Sequence, residues 1–484
     1  MANYIMFQGT SSHVGKSILT TALCRIFFQK GRKVTPFKAQ NMALNSFVTK
    51  DGLEMGRAQV AQAEAAMLEP DVDMNPVLLK PTGNSTSQVI INGRPIGNMS
   101  AKEYHQGYSL KAFDAVKAAL NRLDKNFDTI VIEGAGSPAE VNLKANDIVN
   151  MRVAKYLNAP VILVADIDRG GSLAALVGTL ELLDADERDL VKGLIINKFR
   201  GDVSLFTPAI DFLESKTNKP VLGVVPFIEK LGIDDEDSVS LDDKKNISSD
   251  GEIKIAIIKT PKISNFTDFD SLAGEIDVNL FYAEKAEEIE TADLIIIPGS
   301  KNTSEDLIYL RKVGIVDKIK TLAEKGVAII GICGGYQMLG EKIFDPLHTE
   351  SDNDFVDGLD LLPMTTTFAA EKLTKQVTVD EVNFKFLNVP IYSKNLYGYE
   401  IHSGITKGEF KIVTKNNILG TYVHGIFDND DFRRQILNAI RLSKNLAPIK
   451  NTRNVRAEKQ RNYERLAKIV RENLNMELLH KIMD

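Results

Sequence analysis

Cys333 lies in Gly331-Ile332-Cys333-Gly334-Gly335-Tyr336-Gln337, directly after the apolar run Val327-Ala328-Ile329-Ile330. A β-branched run that stops at a glycine-flanked thiol and continues into Tyr336-Gln337-Met338-Leu339 predicts a strand, a tight elbow and a helix. The glycines permit the strained turn that lifts a side chain out of a sheet. A helix N-terminus also favours thiolate over thiol. A lone cysteine is otherwise a small buried hydrophobe, but its glycines make a nucleophile the better reading. Such a thiol needs a base, and the six histidines are His13, His105, His348, His402, His424 and His480. His424 is the first choice because it ends the β-like run Leu419-Gly420-Thr421-Tyr422-Val423. His402, in Tyr397-Gly398-Tyr399-Glu400-Ile401-His402, is the rival.

A second chemistry sits at the other end of the chain. Tyr4-Ile5-Met6-Phe7-Gln8 reads as a strand and leads into Gly9-Thr10-Ser11-Ser12-His13-Val14-Gly15-Lys16-Ser17. A helical pattern follows, with Ile18, Leu19, Ala22, Leu23 and Ile26 on one side. Strand, glycine-rich loop and helix in this order make a phosphate cradle. Backbone N–H groups around Gly9, Thr10 and Gly15 face the phosphates, Lys16 reaches the outer ones, and the Ser17 hydroxyl meets Mg²⁺. The loop is one residue longer than the usual spacing. Glu133, in Val131-Ile132-Glu133-Gly134-Ala135-Gly136, ends a strand and is the candidate second Mg²⁺ ligand. Lys38 follows another strand and could reach a phosphate or a substrate carboxylate. Asp166 and Asp168 end the strand Val161-Ile162-Leu163-Val164, where site and structural roles are equally open.

These residues carry two family resemblances. Gly-Ile-Cys-Gly-Gly-Tyr-Gln with the later Tyr422-Val423-His424-Gly425 resembles the class I (triad-type) glutamine amidotransferases. That resemblance implies attack by Cys333 on the glutamine amide, a glutamyl thioester, release of ammonia, and His424 as proton shuttle. It further implies that Ile295-Ile296-Ile297-Pro298-Gly299-Ser300 supplies one oxyanion donor. The usual Glu two residues after the His is Ile426 here. A Cys–His dyad is similar to the cobalamin-biosynthesis branch, with Glu400 the candidate for an orienting carboxylate. The lengthened phosphate loop resembles the dethiobiotin-synthetase branch of P-loop proteins, which activate carboxylates by phosphorylation. In that branch Asn197, in Ile195-Ile196-Asn197-Lys198, would contact the adenine of ATP.

Three further segments are similar to the corrinoid amidotransferases over essentially the whole chain. They are Pro36-Phe37-Lys38-Ala39-Gln40-Asn41-Met42-Ala43-Leu44-Asn45-Ser46, Ala165-Asp166-Ile167-Asp168-Arg169-Gly170-Gly171 and Lys262-Ile263-Ser264-Asn265-Phe266-Thr267-Asp268-Phe269-Asp270. The resemblance implies ATP- and glutamine-dependent amidation of the b, d, e and g carboxylates of adenosylcobyrinic acid a,c-diamide. Its partners would be ATP, Mg²⁺, glutamine and a corrinoid polycarboxylate. The same machinery acting on another acid, or a non-enzymatic P-loop ATPase scaffold, are the alternatives. The intact Cys333 and His424 speak against the scaffold.

The elements that must position these groups follow from periodicity. With 484 residues the chain exceeds one core. Apolar strand-like runs (4–8, 33–37, 129–133, 161–165, 193–197, 221–225) alternate with helical patterns (16–30, 56–69, 109–124, 172–184). That alternation predicts an α/β fold whose N-terminal P-loop domain, 1–230, has a parallel sheet. Acidic, polar residues suggest a linker at 231–251. A second α/β pattern over 252–445 is the expected amidotransferase domain, and 446–484 an expected C-terminal helical segment. A net charge of −6 gives no footprint for nucleic acid. No apolar run reaches membrane-spanning length, and two cysteines imply no disulfide framework, so a reducing cytoplasm is expected.

Overall fold

The computed structural model describes residues 2–83, 85–229, 231–234, 251–408 and 411–484; the expected linker 231–251 falls outside them except at its two ends. Six parallel strands form the N-terminal sheet: β1 (Asn3–Gly9), β2 (Val34–Phe37), β3 (Thr129–Glu133), β4 (Val161–Asp166), β5 (Val191–Phe199) and β6 (Val221–Pro226). Their order is β6-β5-β4-β1-β3-β2. Ile162, Leu163 and Val164 are wholly buried, as strands covered on both faces require. Helix α1 (Lys16–Gln29) starts directly after the glycine-rich loop and buries Leu19, Leu23, Ile26 and Phe27. The ends of β1, β2, β3 and β5 open on one edge of the sheet, where open α/β sheets bind ligands. A small sheet of four strands (Gln40–Met42, Val77–Pro81, Thr86–Ile91, Arg94–Ser100) is inserted after β2. Sequence periodicity does not predict that insertion, because its strands are short and half polar.

The second sheet uses β7 (Ile253–Ile258), β8 (Val278–Ala283), β9 (Leu294–Ile297) and β10 (Ala328–Ile332). A long hairpin then intervenes, β11 (Thr365–Phe386) with β12 (Val389–Thr406). Its two-residue turn, Leu387-Asn388, has both φ positive (52° and 62°), the twist that suits a tight antiparallel reversal. Strands β13 (Ile412–Lys415) and β14 (Ile418–Thr421) complete the order β8-β7-β9-β10-β14-β13, with only the β13–β14 pair antiparallel. Helix α2 (Gly334–Leu339) follows β10, and α3 (Asp430–Ser443) covers the sheet.

The C-terminal segment returns to the first domain. Helices α4 (Val455–Asn473) and α5 (Met476–Met483) put Tyr463, Leu466, Val470, Leu479 and Met483 into one core with Ile5, Phe7, Leu23 and Phe27. A buried ion pair reinforces this return: Asp234 receives Arg57 at 2.8 Å and Lys459 at 3.0 Å. The two domains meet where the hairpin β11/β12 lies on residues 45–54. Thr374 Oγ1 donates to the Gly52 carbonyl (2.7 Å) and Gln376 Nε2 to that of Val48 (3.1 Å).

Candidate active sites

The glycine-rich loop folds back on itself at the end of β1. A Cβ on Gly9 would strike Val14, the Ser11 carbonyl and Lys16 Nζ. Gly15 has φ 98° and lies against Asn197, so both strain and space require glycine there. The Thr10 N–H is tied to the Val164 carbonyl at 2.9 Å, fixing the loop to β4. Lys16 is buried, with Nζ on the carbonyls of Ser11 (3.0 Å) and Gly136 (3.1 Å). Asn197 Nδ2 donates to the Val14 carbonyl at 2.8 Å, bracing the loop from β5.

Glu133 is the hub of this site. It is wholly buried at the end of β3, and its Oε1 receives Ser17 Oγ at 2.8 Å and Lys38 Nζ at 3.0 Å. Its Oε2 receives Gln62 Nε2 at 2.5 Å. Sequence reasoning named Ser17, Lys38 and Glu133 separately; the fold brings them together. Gln62 was not singled out, since a glutamine within a helical pattern carries no signal. A hydroxyl and a carboxylate in contact form the hard oxygen donor set that suits Mg²⁺ with phosphates and waters completing its shell. Asp166 and Asp168 have other partners: Lys198 Nζ at 2.8 Å and Arg200 Nε at 2.8 Å. A cavity of about 740 Å³ opens beside this site, lined among others by Gln40, Met42, Tyr104, Phe113, Gly136 and Ser137.

The thiol site is built at the end of β10. Cys333 has φ 52° and ψ −107°, a strained elbow. Gly335 packs so tightly on the Ile297 carbonyl that no side chain fits. A Cβ on Gly334 would sit 2.9 Å from the Ser300 N, so glycine there lets the two loops close on one cavity with Cys333. This is where the expected oxyanion strand-loop, Ile295–Ser300, comes to lie. His424 is buried beside Cys333, whose thiol donates to the Ile401 carbonyl at 3.5 Å. Its Nδ1 donates to Asp268 Oδ2 at 2.6 Å, and Gly425 N donates to Asp268 Oδ1 at 2.9 Å. Burial disfavours the imidazolium, but attraction to Asp268 and Cys333 outweighs it and raises the pKa to about 10. Tyr399 stacks on the imidazole, with ring centres 5.3 Å apart.

Asp268 is the orienting carboxylate that the sequence did not identify. Ile426, at the usual Glu position, is instead a buried core residue packed with Val423, Phe427 and Phe432. Glu400 is not the substitute. It is held by His402, by Lys411 Nζ at 2.6 Å and by Lys375 Nζ at 3.3 Å, which against burial keep its carboxyl down at about 2. His402 lies near the thiol but stacks on Tyr422 (3.8 Å) and bonds the Gly404 carbonyl through Nδ1. Cys24 is wholly buried in α1 and has no part in either site.

The two sites are linked through the interface. Asn265 Nδ2 donates to the Ser46 carbonyl and binds Tyr399 Oη, both at 2.8 Å; Tyr399 Oη donates to the same carbonyl at 3.0 Å. Ser46 ends the segment that begins at Lys38, so seven residues of chain separate the His424 ring stack from the phosphate site.

Residues 5–240 match the CobQ/CobB/MinD/ParA nucleotide binding domain, and residues 254–432 the CobB/CobQ-like glutamine amidotransferase domain. The chain is similar to a cobyric acid synthase of Moorella thermoacetica, 52% identical over 505 residues, covering 100% of this chain and 98% of that protein. Against the cobyric acid synthase of Carboxydothermus hydrogenoformans it is 51% identical over 499 residues, covering 100% of both. For that of Clostridium botulinum the identity is 49% over 500 residues and 99% of each chain.

Proposed function

The chain belongs to the cobyric acid synthase family, and from that premise we propose that its two sites divide one amidation between them. It is an amide-forming ligase that draws nitrogen from glutamine. The N-terminal site activates a carboxylate with ATP, and the C-terminal site releases the ammonia that displaces the phosphate. A carboxylate is a poor electrophile because oxide would have to leave; an acyl phosphate has a good leaving group. Lys16, with Lys38 behind it, faces the charge that develops on the transferred phosphoryl group. Ser17 and Glu133 would hold Mg²⁺, which supplies further charge neutralisation when bound. Gly9, Thr10 and Gly15 shape the loop, and Asn197 on β5 contacts the adenine.

Sheet order supports one direction of approach for the acceptor. With adenine at β5 and the γ-phosphate between β1 and β3, the acid must arrive from the β2 side. The 740 Å³ cavity opens beside the phosphate site, between Gln40 and Met42, which follow β2, and residues 135–152, which follow β3. Its volume and its aromatic wall suit a large flat macrocycle. The acceptor is a corrinoid whose b, d, e and g carboxylates turn in succession to the phosphate site.

At the other site Cys333 attacks the glutamine amide, His424 protonates the departing ammonia, and Asp268 holds the imidazole with its proton on Nδ1. Water then hydrolyses the thioester. One observation carries the reading: Tyr399 and Asn265, beside His424, hydrogen-bond Ser46 in the segment that starts at Lys38. Ammonia is thus made against the wall of the domain that consumes it. The two free cysteines support a reducing cytoplasm, and the net charge of −6 favours no nucleic-acid partner; no helix among the described residues is long and apolar enough to cross a membrane.

The test is turnover of adenosylcobyrinic acid a,c-diamide with ATP, Mg²⁺ and glutamine, followed by product mass. Four successive exchanges of hydroxyl for amino support the reading. Unchanged mass, with glutamine and ATP still hydrolysed, refutes the acceptor assignment.

A further inference from the structure

Beside the thiol lies a buried charge cluster that the chemistry above leaves unused. Glu54 is wholly buried, and its oxygens receive Lys80 Nζ at 2.8 Å and Lys372 Nζ at 2.6 Å. Glu54 and Lys80 belong to the N-terminal domain, while Lys372 lies on β11 of the other. Lys80, Lys372, Lys301 and Glu350 line the same small cavity as Cys333 and Gln337. That cavity shares Lys372, His402 and Ser403 with a neighbouring one of about 560 Å³, a route in from outside.

Three ammonium groups here meet two carboxylates, so the buried cluster holds an excess positive charge. Burial pushes Lys372 down to about 8 against the pull of Glu54. It pushes Glu350 up to about 7, with Lys301 and the Thr303 N–H (2.7 Å) only partly opposing. Both shifts come chiefly from burial, and a ligand of opposite sign at either group would offset it. An ammonium has three donors; Lys372 uses one on Glu54, and Lys80 uses two, on Glu54 and Ser46 Oγ. Donors therefore remain for an anion. Glutamine, seated with its amide at Cys333, carries an α-carboxylate and an α-ammonium at its far end.

We propose that Lys80 and Lys372, bridged by Glu54, bind the α-carboxylate of glutamine while Glu350 takes its α-ammonium, so that the N-terminal domain completes the glutamine site of the C-terminal one. This rests on the reading of Cys333 as the glutamine nucleophile. Its consequence is a lock: glutamine is hydrolysed only where the ammonia-consuming domain is docked. Without Glu54 and Lys80, Lys372 is left as an unneutralised cation and glutamine loses half its carboxylate clasp.

The experiment compares ammonia release from glutamine and from 4-aminobutanamide, which is glutamine without its α-carboxylate, in the full-length chain. Lys80→Met lowers kcat/KM for glutamine by about 10²-fold, the scale of a lost charged contact in a site built for it. The analogue's value changes by less than about threefold. Equal losses for both substrates would make the cluster a mere interface clamp and overturn the proposal, as would no loss for either. Ammonia-driven amidation reports whether the fold survives. If Lys80→Met loses that route, Lys372→Gln repeats the comparison from the other domain. If Cys333→Ala leaves wild-type glutamine hydrolysis intact, the underlying reading fails instead, which is a different result.

Discussion

Asp268→Asn keeps the shape of the His424 partner and removes its charge. The carboxylate serves two donors at once, His424 Nδ1 at 2.6 Å and Gly425 N at 2.9 Å. An amide has one acceptor oxygen, so its NH₂ must face one of those donors. Facing the imidazole, it forces the proton from Nδ1 to Nε2, where His424 can no longer accept from the thiol. The electrostatic loss can be sized separately. A rise from 6.5 to about 10 represents roughly 5 kcal/mol of preference for the imidazolium. Burial opposes that rise, and Asp268 and Cys333 together produce it. Asp268 is the first of the attractions that produce the rise, so losing its charge lowers glutamine kcat/KM on the order of 10²-fold, and the wrong tautomer extends this toward ~10⁴. The sign of the pH effect follows. His424 stays protonated until pH rises through about 10 in the wild type, so the alkaline limb of glutaminase activity lies there. In the variant that limb moves down toward the ordinary histidine value. The assay is ammonia release across pH, run beside ammonia-driven amidation of the acid. Unchanged glutamine turnover, or equal loss by both routes, would refute the role given to Asp268.

The other expectations are simpler. Cys333→Ala abolishes glutamine-driven amidation and leaves the ammonia-driven route within about twofold, since the thiol acts only on glutamine; product assays with each nitrogen source check this. Lys16→Ala lowers both routes by at least ~10²-fold because activation precedes attack, read as phosphate release with either source. Ile426→Glu puts an unpaired carboxylate where a side chain is 1% exposed and destabilises by about 2–5 kcal/mol, seen as a lower urea midpoint without any gain in glutaminase. Leu466→Ala, in a helix wholly buried against α1 at that position, costs about 2–5 kcal/mol, again read from the urea midpoint.

What was legible in the sequence is what the chain carries contiguously. The elbow at Cys333 needs its glycines next to it, and the phosphate loop needs Gly15-Lys16-Ser17 after a strand. Glu133 shows itself because a charge terminates a buried run. Parallel strands read clearly for the same reason, since both faces are covered and the runs are unbroken. The remainder is made by contacts between distant segments. Asp268 reaches His424 across 156 residues, and Glu54 meets Lys372 across 318. No local period encodes either meeting. Asp268 also hides within a short turn, Phe266–Phe269, that has no strand or helix signal of its own. The tail looked like an amphipathic helix, but its apolar face does not name the domain it will cover; packing with Ile5 and Leu23 decides that.

Phosphorylation of the acceptor carboxylate before nitrogen attacks it is the central step of the mechanism. Supplying adenosylcobyrinic acid a,c-diamide labelled with ¹⁸O in its free carboxylates, with ATP and glutamine, tests that step in one reaction. An acyl phosphate requires each amide formed to leave one labelled oxygen on the inorganic phosphate. Amide product accompanied by unlabelled phosphate would contradict the mechanism.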